Sequence, residues 1–145
     1  MISALPVPAR DVALLIVRIV LGVILIAHGA QKFFSYGIGG TAASFAQMGI
    51  PLPTVSAVVA AVIELVGGAL LIVGLATAVA GLLVVLDMLG AALFVHATHG
   101  IFAADEGWEL VGAIGAAALA LAAVGPGRFS IDHAVGARRP TAVTR

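Results

Sequence analysis

The 145-residue chain contains no cysteine. It therefore forms no disulfide, performs no thiol redox chemistry by itself and offers no thiolate to a metal. Charge is scarce: Asp, Glu, Lys and Arg make up 10% of residues, and seven cations balance seven anions. A formal net charge of zero gives no general attraction for nucleic acid, so no nucleic-acid partner is expected. A basic n-region is missing from residues 1–9, and the apolar run that follows is too long for an h-region. The amino terminus thus does not read as a cleaved signal. What the chain has in excess is apolar surface: 62% of residues are hydrophobic and the mean hydropathy is +1.22. No soluble domain of this size could bury so much, and an integral membrane protein is expected.

Four stretches have the length and composition of membrane spans, at about residues 12–33, 54–75, 79–98 and 107–124. The expected fold is an all-α integral membrane four-helix bundle over residues 12–132. A short segment, 1–11, precedes it, with Pro6 and Pro8 opposing helix, and a basic tail, 133–145, follows. Residues 35–53 read as an apolar loop broken at Gly39-Gly40. It carries a short helix from an N-cap at Thr41 through Met48, lying on the interface or closing over the bundle as a lid. Trp108 suits the aromatic belt at a membrane surface. Arg10, Arg128, Arg138, Arg139 and Arg145 share the side of the two termini, whereas Lys32 on the other side is accompanied by Asp105, Glu106 and Glu109. By the positive-inside rule both termini of this multi-pass chain are expected on the cytoplasmic side.

Two stripes of small residues surround the intramembrane charges. Arg18, Gly22, Leu25, Gly29 and Lys32 fall at spacings of 4, 3, 4 and 3, along one face of the first helix. Ala57, Ala61, Glu64, Gly68, Leu71 and Gly74 form a similar stripe on the second, and Asp87 lies mid-depth on the third. Such stripes face other helices, because glycine permits close approach and a buried charge needs partners. At ~1.5 Å per residue from the termini's side, Arg18, Asp87 and Glu64 lie near ~9, ~13 and ~15 Å. They are expected to form one polar network, with the surplus acid either protonated or met by Lys32. Removing Arg18 and Glu64 together should then cost less than the sum of the two losses.

His28, Lys32, His96, His99 and Glu109 form a second layer of candidate residues, a pocket nearer the opposite face. Asp87 and His96 are nine residues apart, half a turn out of phase, and share the bundle interior only if the third helix is distorted. Histidines three apart beside loop acids are weak evidence of ligation, so no metal site is assigned to His96, His99, Asp105 and Glu109.

The chain also repeats itself. L-G-V-I-L-I-A-H, ending at His28, resembles L-G-A-A-L-F-V-H, ending at His96, and E-L-V-G occurs from Glu64 and again from Glu109. A parallel duplication of a helical hairpin would make His28 equivalent to His96 and Glu64 equivalent to Glu109.

Arg18 followed by H-G-A-Q-K at 28–32, F-A-Q-M-G-I-P at 45–51, E-L-V-G-G at 64–68 and G-P-G-R-F-S-I-D at 125–132 together resemble the DoxX family of small membrane proteins. The resemblance spans about residues 14–132 and implies a four-helix bundle in the bacterial or archaeal plasma membrane, associated with quinone-linked sulfur oxidation or, in related proteins, with electron transfer or redox homeostasis. It also suggests a capping role for Asp132. With no cysteine here, sulfur chemistry would fall to a partner.

Three functional classes are in play. The favoured one is a quinone- or small-lipid-binding subunit of a membrane oxidoreductase. His28 or Lys32 would donate to a ligand carbonyl and Glu64 would pass protons. No flavin, iron–sulfur or nucleotide motif is present, which favours a subunit with an oxidoreductase partner over a stand-alone enzyme and leaves catalytic residues unassigned. A haem held by His28 and His96 is disfavoured by the tight Ala/Gly packing. A non-catalytic scaffold, homo-oligomer or small channel is the third, and membrane lipids are partners in every case.

Overall fold

The computed structural model describes residues 5–137; residues 1–4 and 138–145, the latter including Arg138, Arg139 and Arg145 of the basic tail, lie outside the described residues. The fold is all-α, with no strand among the described residues. Helix α1 runs Val7–Ser35, α3 Pro53–Val73 and α4 Thr77–His96, and each is long and apolar enough to cross a membrane. Helix α2, Gly37–Gln47, folds back over the start of α3. A 3₁₀ turn at Ala103–Asp105 leads into α5, Glu109–Val124, which with 16 residues is about 24 Å long. Helix α6, Ile131–Gly136, is short. The chain is a membrane-embedded helical bundle in which α1 pairs with α3 and α4 with α5.

Glycine sets the register of α1 on α3. A Cβ on Gly22 would lie 2.5 Å from Ile72 Cγ1 and 2.6 Å from the Gly68 carbonyl oxygen; one on Gly29 would lie 2.8 Å from the Leu65 nitrogen. The two backbones therefore meet with Gly29 beside Leu65, Gly22 beside Gly68 and Arg18 beside Gly74. Both small-residue stripes face inward. Arg18, Gly22, Leu25 and Gly29 are buried on α1, as are Ala57, Ala61, Glu64, Gly68, Leu71 and Gly74 on or just after α3. Gly22→Ala is expected to push α1 off α3 and lower stability by about 1–3 kcal/mol. Thermal unfolding in detergent checks this, and an unchanged Tm would show that the contact can relax.

Two local expectations are corrected. Pro6 and Pro8 do not delay the first helix, which begins at Val7. Pro6 is its N-cap and Pro8 lies in the first turn, where the missing N–H has no helical partner to lose. Thr41 is not an N-cap, and Gly39-Gly40 does not break the chain. Helix α2 begins at Gly37, whose φ of +68° makes the reversal after Tyr36. Thr41 is buried inside α2, where its hydroxyl donates to the Lys32 carbonyl at 3.1 Å.

On the termini's face, the segment after α5 is tied to three helices. Arg18 is 1% exposed. Its Nη1 donates to the Pro126 carbonyl at 2.6 Å, and its Nη2 to the carbonyls of Phe129 at 2.7 Å and Ile72 at 3.1 Å. Asp11 accepts the Arg128 N–H at 3.1 Å. Asp132 accepts the N–H groups of Ala76 and Thr77 at 2.8 and 2.9 Å, satisfying orphan donors at the start of α4. Burial pushes the Asp132 carboxyl up, but these two N–H groups and the Arg18 charge outweigh it and hold it below the usual carboxylate range. The stabilisation from Asp132 is therefore complete above its unfolded value of about 3.9 and is lost as the pH falls through the lower folded value. Between about pH 5 and pH 3, Asp132→Asn is expected to flatten the acid-side fall in Tm, and parallel curves for the two proteins would contradict this.

Candidate functional site

The half of the bundle remote from the termini encloses a cavity of about 700 Å³. It exists because the first half of α3 packs on α1 and α2, and only its later turns reach α4. Val59 and Ile63 of α3 and Leu83 and Leu86 of α4 line the resulting cleft. Val59, Leu83 and Leu86 are also exposed on the outer surface at membrane depth, so the mouth opens sideways toward lipid. Phe45 of α2, with Met48 and Leu52 beyond its end, covers one end, and Leu25, Met88 and Ile114 form the floor.

Five ionisable residues line these apolar walls: His28, Lys32, Glu64, Asp87 and His96. Lys32, the only lysine in the chain, places its Nζ 2.7 and 2.9 Å from the two carboxylate oxygens of Glu64. The Glu64 side chain is 5% exposed and that of Lys32 20%, so the ammonium is the more accessible partner. Asp87 lines the same cavity.

Each long helix departs from α geometry at this site. The turns Gln31–Ser35, Ile63–Gly67 and Ala92–His96 are π-helical. They carry Lys32, Glu64 and His96 respectively. A π turn inserts one residue and re-aims the side chains beyond it, and such turns are frequent at functional sites. The turn at Ala92–His96 is the distortion that lets Asp87 and His96 face one cavity despite their spacing.

The structure thus regroups the residues singled out in the sequence. Arg18 does not join Glu64 and Asp87: its three partners are backbone carbonyls at the termini's end. The glycine register puts it beside Gly74, a full ten positions from Glu64 along α3. Lys32 takes the place expected of Arg18. Of the second layer, His28, Lys32 and His96 line the cavity, whereas His99 and Glu109 do not. Glu109 accepts the Ala103 N–H at 2.7 Å, and exposed His99 stands 3.8 Å from the Glu106 carboxylate. His28 and His96 therefore share a site, as the repeat implies, but Glu64 and Glu109 have different surroundings. Among the described residues, no group of three or more His, Asp or Glu is placed to hold a metal ion. The lid residues Phe45 and Met48 were signalled only by an apolar loop. The π turns at Gln31–Ser35 and Ile63–Gly67 left no recognisable mark in the sequence, whereas the Asp87–His96 spacing pointed to a distortion where the third one lies.

The DoxX family model matches residues 13–97, which include all five ionisable cavity residues. The "Putative oxidoreductase CatD" of Bacillus subtilis (strain 168) is 40% identical over 85 residues, 59% of this chain and 60% of that protein, so this chain matches less than two thirds of its length. The "Inner membrane protein YphA" of Escherichia coli (strain K12) is 34% identical over 131 residues, covering 86% of this chain and 91% of that one. The "Uncharacterized membrane protein Rv3486" of Mycobacterium tuberculosis is 31% identical over 132 residues, 84% of this chain and 80% of that one. No solved structure matches. A family match over more than half of the chain, and a relative matched over nearly all of its own length, agree with the helical bundle: the chain belongs to the DoxX family of membrane proteins.

Proposed function

We propose that this chain is a quinone- or small-lipid-binding subunit of a membrane oxidoreductase or redox-homeostasis complex, working in the plasma membrane with both termini cytoplasmic. The observation that carries the reading is the Lys32–Glu64 pair and Asp87 inside an apolar cleft that opens to lipid. An amphiphile with a polar carbonyl head and an apolar tail fits that arrangement. About 700 Å³ accommodates the head and the start of a tail, and the rest would extend between α3 and α4 into the bilayer. A bound quinone would supply two-electron carbonyl chemistry that uses protons.

The residues have separable tasks. Lys32 Nζ donates toward a ligand oxygen while Glu64 holds the amine in place. Glu64 and Asp87 store and release protons. His28 offers a second ring donor or acceptor. Val59, Ile63, Leu83 and Leu86 exclude water, and Phe45 and Met48 close the end. Electrons come from a partner protein, in keeping with the oxidoreductase name carried by the Bacillus subtilis relative.

Gentle purification from native membranes, organic extraction and mass spectrometry test the reading. Stoichiometric quinone in the native chain, falling at least about tenfold per folded molecule in Lys32→Met, is the expected result. A colourless protein carrying only bulk phospholipid, or equal quinone in both proteins, would refute it.

A further inference from the structure

We propose that the cavity is a proton half-channel, through which Glu64 and Asp87 exchange protons with the aqueous face opposite the termini and not with the termini's face. The inference goes beyond the ligand reading and holds whether or not a quinone binds.

Toward the face opposite the termini, the ionisable residues form a series set in the apolar lining. Glu64 and Asp87 share the cavity with Lys32 and His28 from α1 and with His96 from the last turn of α4. The remaining segments packed around them bring no charge into it: α2 contributes Phe45, the residue after it Met48, and α5 Leu110, Val111 and Ile114. His96 continues the series outward, its Nδ1 bonded to the Glu106 carbonyl. The Glu106 side chain is 79% exposed and stands beside exposed His99, so the series ends in water.

The other side is closed twice. Below the cavity floor, Leu21, Leu71, Val84, Ala118 and Leu121 are each at most 4% exposed and belong to one apolar core layer. Beneath them lies Arg18, seven residues from Leu25 and about 10 Å along α1. Its guanidinium stays charged and donates to three carbonyls. A fixed buried cation repels protons, as arginines do in pores that exclude them. Protons that reach Glu64 or Asp87 therefore enter and leave on one side.

The test uses the full chain, reconstituted in sealed liposomes in one orientation, with dicyclohexylcarbodiimide as probe. This apolar reagent arrives through the bilayer and reacts with protonated carboxyls. The acid proton moves to one nitrogen, the carboxylate oxygen bonds to the central carbon, and acyl transfer to nitrogen gives a stable N-acylurea with no change of redox state. Mass spectrometry locates the adduct, and Glu64→Gln and Asp87→Asn assign it. Lowering the pH on the face opposite the termini from about 8 to about 6, with the other face held constant, should speed labelling at least about fivefold. The same change on the termini's face should leave the rate unchanged. A rate that follows the termini's face, a rate that follows both, or no adduct on either carboxyl at any pH would overturn the proposal. Because no quinone is present, none of these outcomes depends on quinone binding.

Discussion

Arg18→Ala is expected to destabilise the protein by about 4 kcal/mol, enough to leave most of the chain unfolded in mild detergent. A bond from a charged donor contributes about 1.5–3 kcal/mol, and Arg18 makes three, to the carbonyls of Ile72, Pro126 and Phe129. These losses do not simply add, because the loop that carries Pro126 and Phe129 relaxes once released. That relaxation has its own consequence. Asp132 follows in the same segment and holds the first N–H groups of α4, so freeing the loop also uncaps α4. Arg18→Lys should rescue little, since one compact ammonium cannot span carbonyls on both α3 and the loop. Reversible unfolding in mixed micelles measures the effect. A loss below about 1 kcal/mol would mean that the three carbonyls find other donors or water. Combining Arg18→Ala with Glu64→Gln should give additive losses, because the two residues share no partner.

That additivity reverses what the sequence suggests, and the reason is geometric. The spacing of Arg18, Gly22, Leu25 and Gly29 identifies the buried face of α1, and the stripe through Glu64 identifies that of α3. Which residue on one stripe meets which on the other depends on axial register. Estimates of depth assume that each helix starts at the membrane edge and rises straight. Helix α1 instead starts at Val7, and its first turns overshoot the end of α3. The glycine contacts then set Arg18 at the level of Gly74 and leave Glu64 to the opposite half, within reach of the long Lys32 side chain. The number of helices, their buried faces and the identity of the charged residues follow from periodicity and composition. Register, the π turns and the sideways opening of the cavity arise from contacts between helices that no local pattern encodes. The constraint on Asp87 and His96 is an intermediate case. A spacing of nine residues on a regular helix demands a distortion if both are to face inward, and the π turn at Ala92–His96 supplies it.

Lys32→Met should have an effect of similar size, through charge rather than backbone. Removing the ammonium leaves Glu64 and Asp87 facing an apolar cavity with no permanent cation lining it. Breaking a buried pair by removing one partner costs about 3–5 kcal/mol, because the remaining charge is left without compensation. Glu64→Gln should cost less, since Asp87 remains to balance Lys32 and the glutamine oxygen can still accept from Nζ. The double variant Lys32→Met/Glu64→Gln removes both charges of the pair and should be more stable than the sum of the single losses by about 1–3 kcal/mol. The lone Asp87 that it leaves distinguishes this cycle from that of an isolated ion pair. Adding Asp87→Asn should recover more stability in the Lys32→Met background than in the native chain, where Asp87 still has an ammonium to interact with. Unfolding of the full set in one detergent gives these coupling energies. Additive single losses, or an equal effect of Asp87→Asn in both backgrounds, would show that the three residues line one cavity without acting as one electrostatic unit.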